Sequence, residues 1–224
     1  MAYTFGAQDI LATLGITAAD WEVQDSGDNR QQDWAGTKDN DGAMVAASET
    51  AHNDRSEYTL NLKVKAGTLA AAVTFNLGGA GTSDVVITQF SAKQTYNDLA
   101  TLSITAHLHQ TTEVAAVHGA TPVDQGVSLE LGFGVLTNYL GGTLKDCQSS
   151  ELSGSIEHVD KMSNVGKFLV GASTGLKYDC TEEYVDSGSD VTVVAPWKQD
   201  SQEKKTGNGD FYTRSVKGHA YSLT

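Results

Sequence analysis

The chain has 224 residues, and 15 Lys and Arg against 28 Asp and Glu give it a formal charge of −13, which argues against nucleic-acid recognition and against anionic membrane surfaces. No apolar run approaches the ~20 residues of a membrane-spanning helix, so no membrane anchor is expected. Hydrophobic residues at 39% and 23 Gly scattered among Thr, Ser, Val and Ala argue against disorder throughout and suit many strands joined by turns.

The N-terminal "MAYTFGAQDILATLG" lacks the basic flank and apolar centre of a signal peptide, so synthesis and folding in a cytoplasm are expected. Within it, Asp9 caps a short predicted helix whose Ile10, Leu11 and Leu14 share one side and which Gly15 ends. Residues 21–53 are rich in Asp, Asn and Gly and read as a long loop or extended arm with room for a short hairpin. Its "DNDG" at Asp39 to Gly42 has the look of a calcium loop, but Thr37 and Ser48 stand where the first and last carboxylates belong, so it reads as a turn.

Beyond residue 54 the period-2 signal dominates. In "YTLNLKVK", Tyr58, Leu60, Leu62 and Val64 take one face and Thr59, Asn61, Lys63 and Lys65 the other, the pattern of a half-buried strand. Further strands are expected at "AAAVTFNL", "DVVITQFSA", "ATLSITAHLH", "GVSLELGFGV", "ELSGSIEHV", "KFLVGASTGLKYDC", "DVTVVAPW" and "DFYTRSVKGHAYSL". "GGAGTSD" has no following lysine or helix and reads as a hairpin turn rather than a phosphate cradle. "SQEKKTGNGD" reads as a polar loop, and His118 in "AVHGATP" as part of a turn. About ten strands and few helices predict an all-β fold, an antiparallel β-sandwich or barrel with a short N-terminal helix and long polar loops. Residues 1–54 would form the helix and polar arm, and residues 55–224 the sandwich or barrel, in one domain overall.

Two cysteines, Cys147 and Cys180, are too few for a disulfide framework. A hairpin centred on "MSNVG" would bring them near each other, yet Leu152, Ile156, Phe168, Val170, Leu176 and Tyr178 are all even-numbered. Matching these apolar faces needs an even sum of paired numbers, whereas 147 plus 180 is odd. A bulge at Gly154 would restore the pairing; otherwise both are free thiols.

Candidate chemistry is sparse. No serine occupies a G-x-S-x-G turn, and the adjacent Glu182 and Glu183 point to opposite faces of a strand, where a solvated edge accounts for both. The histidines of "ITAHLHQTTEVAAVHGA" remain. On the strand, His107 and His109 are same-face neighbours roughly 7 Å apart, a spacing at which two imidazoles can share one ion. With Glu113 four residues on, "HLHQTTE" resembles the first metal motif of the cupins, which would imply His107, His109 and Glu113 as ligands in a small barrel. The resemblance ends there: Thr101 stands where cupins carry a glycine, and after Pro122 nothing matches the second motif, His158 being the nearest candidate for its histidine. Wet or interface histidines on a polar strand face are the reading preferred, with no resident metal or cofactor and no enzyme activity.

A short N-terminal helix, an Asp/Gly-rich arm, "RSEYTLNLKVKAG", a histidine-bearing strand and a long final strand together resemble virion proteins of tailed bacteriophages, tail-tube-like subunits in particular. The resemblance implies a β-sandwich that assembles into homo-oligomeric rings stacked as a tube, with other virion proteins as partners and DNA only as non-specific passing cargo. It places the protein in the virion after assembly in the host cytoplasm. A decoration or baseplate protein is the neighbouring alternative, a metal-dependent cupin-like enzyme the more distant one, and a β-sandwich binding module using Trp21, Trp34 and Trp197 a third. The expected subunit contacts are the arm from Asp25 to Asn53 and the "SQEKKTGNGD" loop.

Overall fold

In the computed structural model of the protein, residues 19–33, 36–38, 41, 44–47, 52–65, 71–78, 85–109, 112–118, 125–131, 139–140, 147–162, 168–186, 188–206 and 212–223 are described. They form an all-β structure, and no helix occurs among them; the helix expected at Gln8 to Leu14 lies outside the described residues. The strands are β1 (Trp21–Asp33), β2 (Gly36–Lys38), β3 (Met44–Ala47), β4 (His52–Val64), β5 (Ala71–Leu77), β6 (Val85–Thr95) and β7 (Asp98–His109). They continue as β8 (Thr112–His118), β9 (Gln125–Leu131), β10 (Cys147–Met162), β11 (Phe168–Val185), β12 (Lys198–Thr206) and β13 (Tyr212–Ala220).

Eight strands form one continuous path, β1-β4-β7-β6-β10-β11-β13-β12, within an 11-stranded sheet. Every neighbouring pair on that path is antiparallel. The alternation read from the sequence is what divides its faces. Tyr58, Leu60, Leu62 and Val64 of β4 are buried, as are Ala100, Leu102, Ile104 and Ala106 of β7, and each residue between them that is described faces outward. Cross-strand rows therefore keep one character across the middle of the sheet. The row Leu62, Leu102, Ala92, Leu152, Cys180 is buried throughout. The adjoining row on the other face is Asn61, Ser103, Ser91, Ser153, and beyond it runs Thr59, Thr105, Gln89, Ser155.

The core face is covered by three segments. β5 and β9 pair with each other and bury Val73, Phe75, Leu77, Val127, Leu129 and Leu131. The Phe75 ring meets Phe90 of β6 edge-on at 5.1 Å, and Gln94 Nε2 donates to the carbonyl of Glu130 at 2.9 Å. Toward β13 and β12 the cover is irregular: Leu140, Val191 and Trp197 are buried, and Val194 N donates to the Leu140 carbonyl at 2.9 Å. Gly154 lies between the rings of Phe90 and Tyr178, whose centroids are 6.3 Å apart; a Cβ there would come within 2.4 Å of Phe90 Cε1.

Several expectations are corrected. Residues 21–33 are not a loop: β1 pairs with β4 along its length, with bulges after Val23 and Gln31, and the short hairpin is β2 with β3. "SQEKKT" is not a loop but most of β12, paired to β13. "DVTVVAPW" is not a strand; it runs as an irregular strap with a cis Ala195–Pro196 bond. His118 ends strand β8, which runs parallel to β11. Asp41 lies in a turn, as read. In the β10–β11 hairpin, Leu152 opposes Cys180, so the even register predicted from parity holds from Ser149 to Ser155; a bulge follows between Ser155 and Glu157. Cys147 opposes Tyr184, four positions along β11 from Cys180, an offset of ~13 Å that exceeds the reach of a disulfide. Both thiols are free.

Candidate functional site

His107 lies on the polar side of β7, flanked by Glu57 of β4 and Val86 of β6. Its Nε2 is 3.6 Å from Glu57 Oε2, an ion pair only when the ring is protonated. The ring of His158, from β10, meets His107 edge-on with centroids 6.2 Å apart. His158 Nδ1 lies 2.8 Å from Ser173 Oγ, and that hydroxyl donates to the Gly78 carbonyl at 3.0 Å. Because the serine proton is directed at a carbonyl, Nδ1 acts as the donor to Ser173, the reverse of a base that takes a proton from a nucleophile.

The structure thus brings together two of the histidines singled out in the sequence, His107 and His158. The side chains of His109 and Glu113 lie outside the described residues, and their strands diverge in pairing: β7 lies between β4 and β6, whereas β8 pairs with β11. Among the described residues, no group of three or more His, Cys, Asp or Glu is placed to hold a metal ion.

A second constellation was misread in the sequence. Glu182 and Glu183 do face opposite sides of β11, but only Glu183 is solvated, in an ion pair with Lys205 at 2.9 Å. Glu182 is fully buried. Its carboxylate accepts from Tyr139 N at 2.7 Å, Leu140 N at 3.4 Å and Ser150 Oγ at 3.3 Å, and from the Tyr184 hydroxyl. Burial raises the Glu182 carboxyl above the usual range, while the donors of Tyr184, Tyr139, Leu140 and Ser150 pull the other way. Cys147, 3.3 Å from the Ser149 carbonyl, is pushed up to about 12 by burial and by Glu182, so it is a protonated, unreactive thiol at neutral pH. The signal was available: Glu182 shares its parity with Tyr178, Cys180 and Tyr184, all on the core face.

The third constellation ties the strap to the edge of the sheet. Arg214 of β13 is nearly buried, and its Nε and Nη2 reach Asp186 at 3.1 and 3.0 Å. Lys204 of β12 joins the same carboxylate at 2.7 Å, holding Asp186 down at about 2 together with the Gly188 amide. Arg214 Nη1 and Gln202 Nε2 both donate to Asp190, whose side chain is otherwise 89% exposed. Beside this carboxylate opens a groove of about 520 Å³ lined by Asp190, Val191, Gln199, Gln202, Lys204 and Arg214.

No protein-family model matches the chain, and no curated protein matches it.

Proposed function

We propose that the protein is a self-assembling structural subunit, a virion component of a tailed bacteriophage that forms tail-tube rings around a DNA conduit. The observation that carries this reading is the open sheet. Its eight-strand path spans about 34 Å at the usual strand spacing, and both of its ends, β1 with 13 residues and β12 with 9, have a neighbour on one side only among the described residues. Long edges present unpaired backbone donors and acceptors, which another chain completes. The reading takes the sheet as one layer and β5, β9 and the strap as the second, in the manner of a sandwich. The net charge of −13 suits a conduit that DNA crosses without adhering.

Negative-stain microscopy with light scattering of the purified chain tests it. Rings or stacked tubes are the expected result, and monodisperse monomers at every concentration would overturn it. A second reading, a metal-dependent enzyme of the cupin kind, is favoured by the approach of His107 to His158 alone. Stoichiometric metal in the purified protein, lost in His107→Ala and His158→Ala, is the result that would favour it.

A further inference from the structure

The two edges of the sheet, each with one neighbour among the described residues, are not alike. β1 carries Glu22, Asp25, Asp28 and Asp33 against Arg30, a net −3 over 13 residues with no Lys and no Pro. β12 carries Lys198, Lys204 and Lys205 against Asp200 and Glu203, a net +1. Pairing β1 with another β1 sets acid against acid, so the edge most compatible with β1 is β12. Strand directions agree. An alternating path of eight strands leaves its edges running in opposite senses, so a second copy, shifted along the sheet with the same face inward, presents its β1 antiparallel to β12.

The core-side flank of β12 supplies an independent sign of what it receives. Gln199, Gln202 and Lys204 pair with Gly218, Val216 and Arg214, placing them on the side of the buried face, where the groove lies. There the protein already shows the chemistry it accepts, because Arg214 Nη1 and Gln202 Nε2 grip a carboxylate, that of Asp190. That carboxylate is held loosely: it sits in solvent, where an ion pair contributes little. On β1, Asp28 pairs with Tyr58 and therefore lies on the same core-side flank, exposed at the sheet edge, where its Oδ2 accepts from the Tyr58 hydroxyl at 3.0 Å and its other oxygen would meet the new donors.

We propose that β12 is the docking edge for β1 of a second copy, and that Asp28 of the incoming strand takes the place of Asp190 on Arg214 and Gln202. The contact is head-to-tail, which closes into a ring or continues as a filament. It rests on the self-assembly reading above and adds to it which edges meet and which carboxylate is exchanged.

Light scattering of the intact chain across a concentration series tests the proposal with three variants. Asp25→Lys and Lys205→Asp, each alone, should raise the concentration needed for assembly about tenfold or more, since the antiparallel register that brings Asp28 to Gln202 sets Asp25 against Lys205 and each change puts like charges there. Mixed one to one they should assemble as the unchanged chain does, because β12 of either copy then finds an opposite charge on β1 of the other. Asp190→Ala, which removes the internal competitor, should assemble at about fivefold lower concentration. Unchanged assembly in all three variants overturns the docking while leaving self-assembly standing. Impaired single variants that stay impaired when mixed overturn the pairing of β12 with β1. A chain that remains monomeric throughout overturns self-assembly itself and the docking with it. Trp197 fluorescence checks that each variant is folded.

Discussion

Glu182 is an ionisable group placed where solvent does not reach, and four donors converge on it. Deleting it removes the carboxylate that accepts from the amides of Tyr139 and Leu140 and the hydroxyls of Ser150 and Tyr184, so Glu182→Ala should lose about 3 kcal/mol or more in urea unfolding. Glu182→Gln keeps the shape but turns an amino group toward one of the donors. The pH dependence has a definite sign. A carboxyl raised by burial binds its proton more tightly folded than unfolded, so its contribution is fullest below the ordinary carboxylate value and is lost as pH rises through the raised one. As pH falls from neutrality toward the ordinary carboxylate range, the unchanged chain should therefore gain stability relative to Glu182→Gln. A constant difference across that range would show that Glu182 does not titrate there. Gly154 makes the complementary point about space: Gly154→Ala forces a methyl against Phe90 and Tyr178 and should cost about 1 to 3 kcal/mol.

Among the elements, the strap from Asp186 to Trp197 depends on a few polar ties and three buried side chains, Val191 and Trp197 of its own and Leu140 beneath. Asp186 is held by Lys204, the Gly188 amide and Arg214, and its lowered value means that this tie is present above the usual carboxylate range and is lost as pH falls toward 2. In Asp186→Asn the Gly188 amide and its neighbours should exchange hydrogen faster at neutral pH while the amides of β4 and β7 do not change; uniform acceleration would instead mean that the strap and sheet open together. The same elements explain what the sequence made legible. β4 and β7 have neighbours on both sides and one covered face, so Tyr58 to Val64 and Ala100 to Ala106 alternate cleanly. β1 and β12 each have one neighbour among the described residues, and most of their described side chains stay wet, so "QDSGDN" and "QDSQEKK" carry no alternation and read as loops. "DVTVVAPW" has strand-like residues, but its burial falls on Val191 and Trp197 alone, which an irregular path achieves as well as a strand. His107 with His158 was half legible: alternation places His107 on the polar face, but only the fold brings a residue 51 positions away to its ring.

For the whole molecule, one buried cluster runs from Trp21 at the β1 end to Trp197 near β12 and includes the residues of β5 and β9. A core without a break predicts one cooperative transition, so the fluorescence of Trp21 (in Trp34→Phe with Trp197→Phe) and of Trp197 (in Trp34→Phe with Trp21→Phe), each after correction for its background, should report a single midpoint within its own protein that agrees with circular dichroism. Two separated transitions would mean that the β1 end and the β12 end of the sheet do not unfold together.

The outward rows at the middle of the sheet, Asn61, Ser103, Ser91, Ser153 and Thr59, Thr105, Gln89, Ser155, consist of short or neutral side chains repeated at strand spacing. Such a surface has little relief, and fixed charge returns only at its margins, where the first row continues to Asp25 and Asp179 and the second to Lys177. Were the proposed tube to turn this face to its bore, a chain molecule drawn along it would exchange one weak hydrogen bond for the next across the middle of the sheet and meet fixed charge only at the margins.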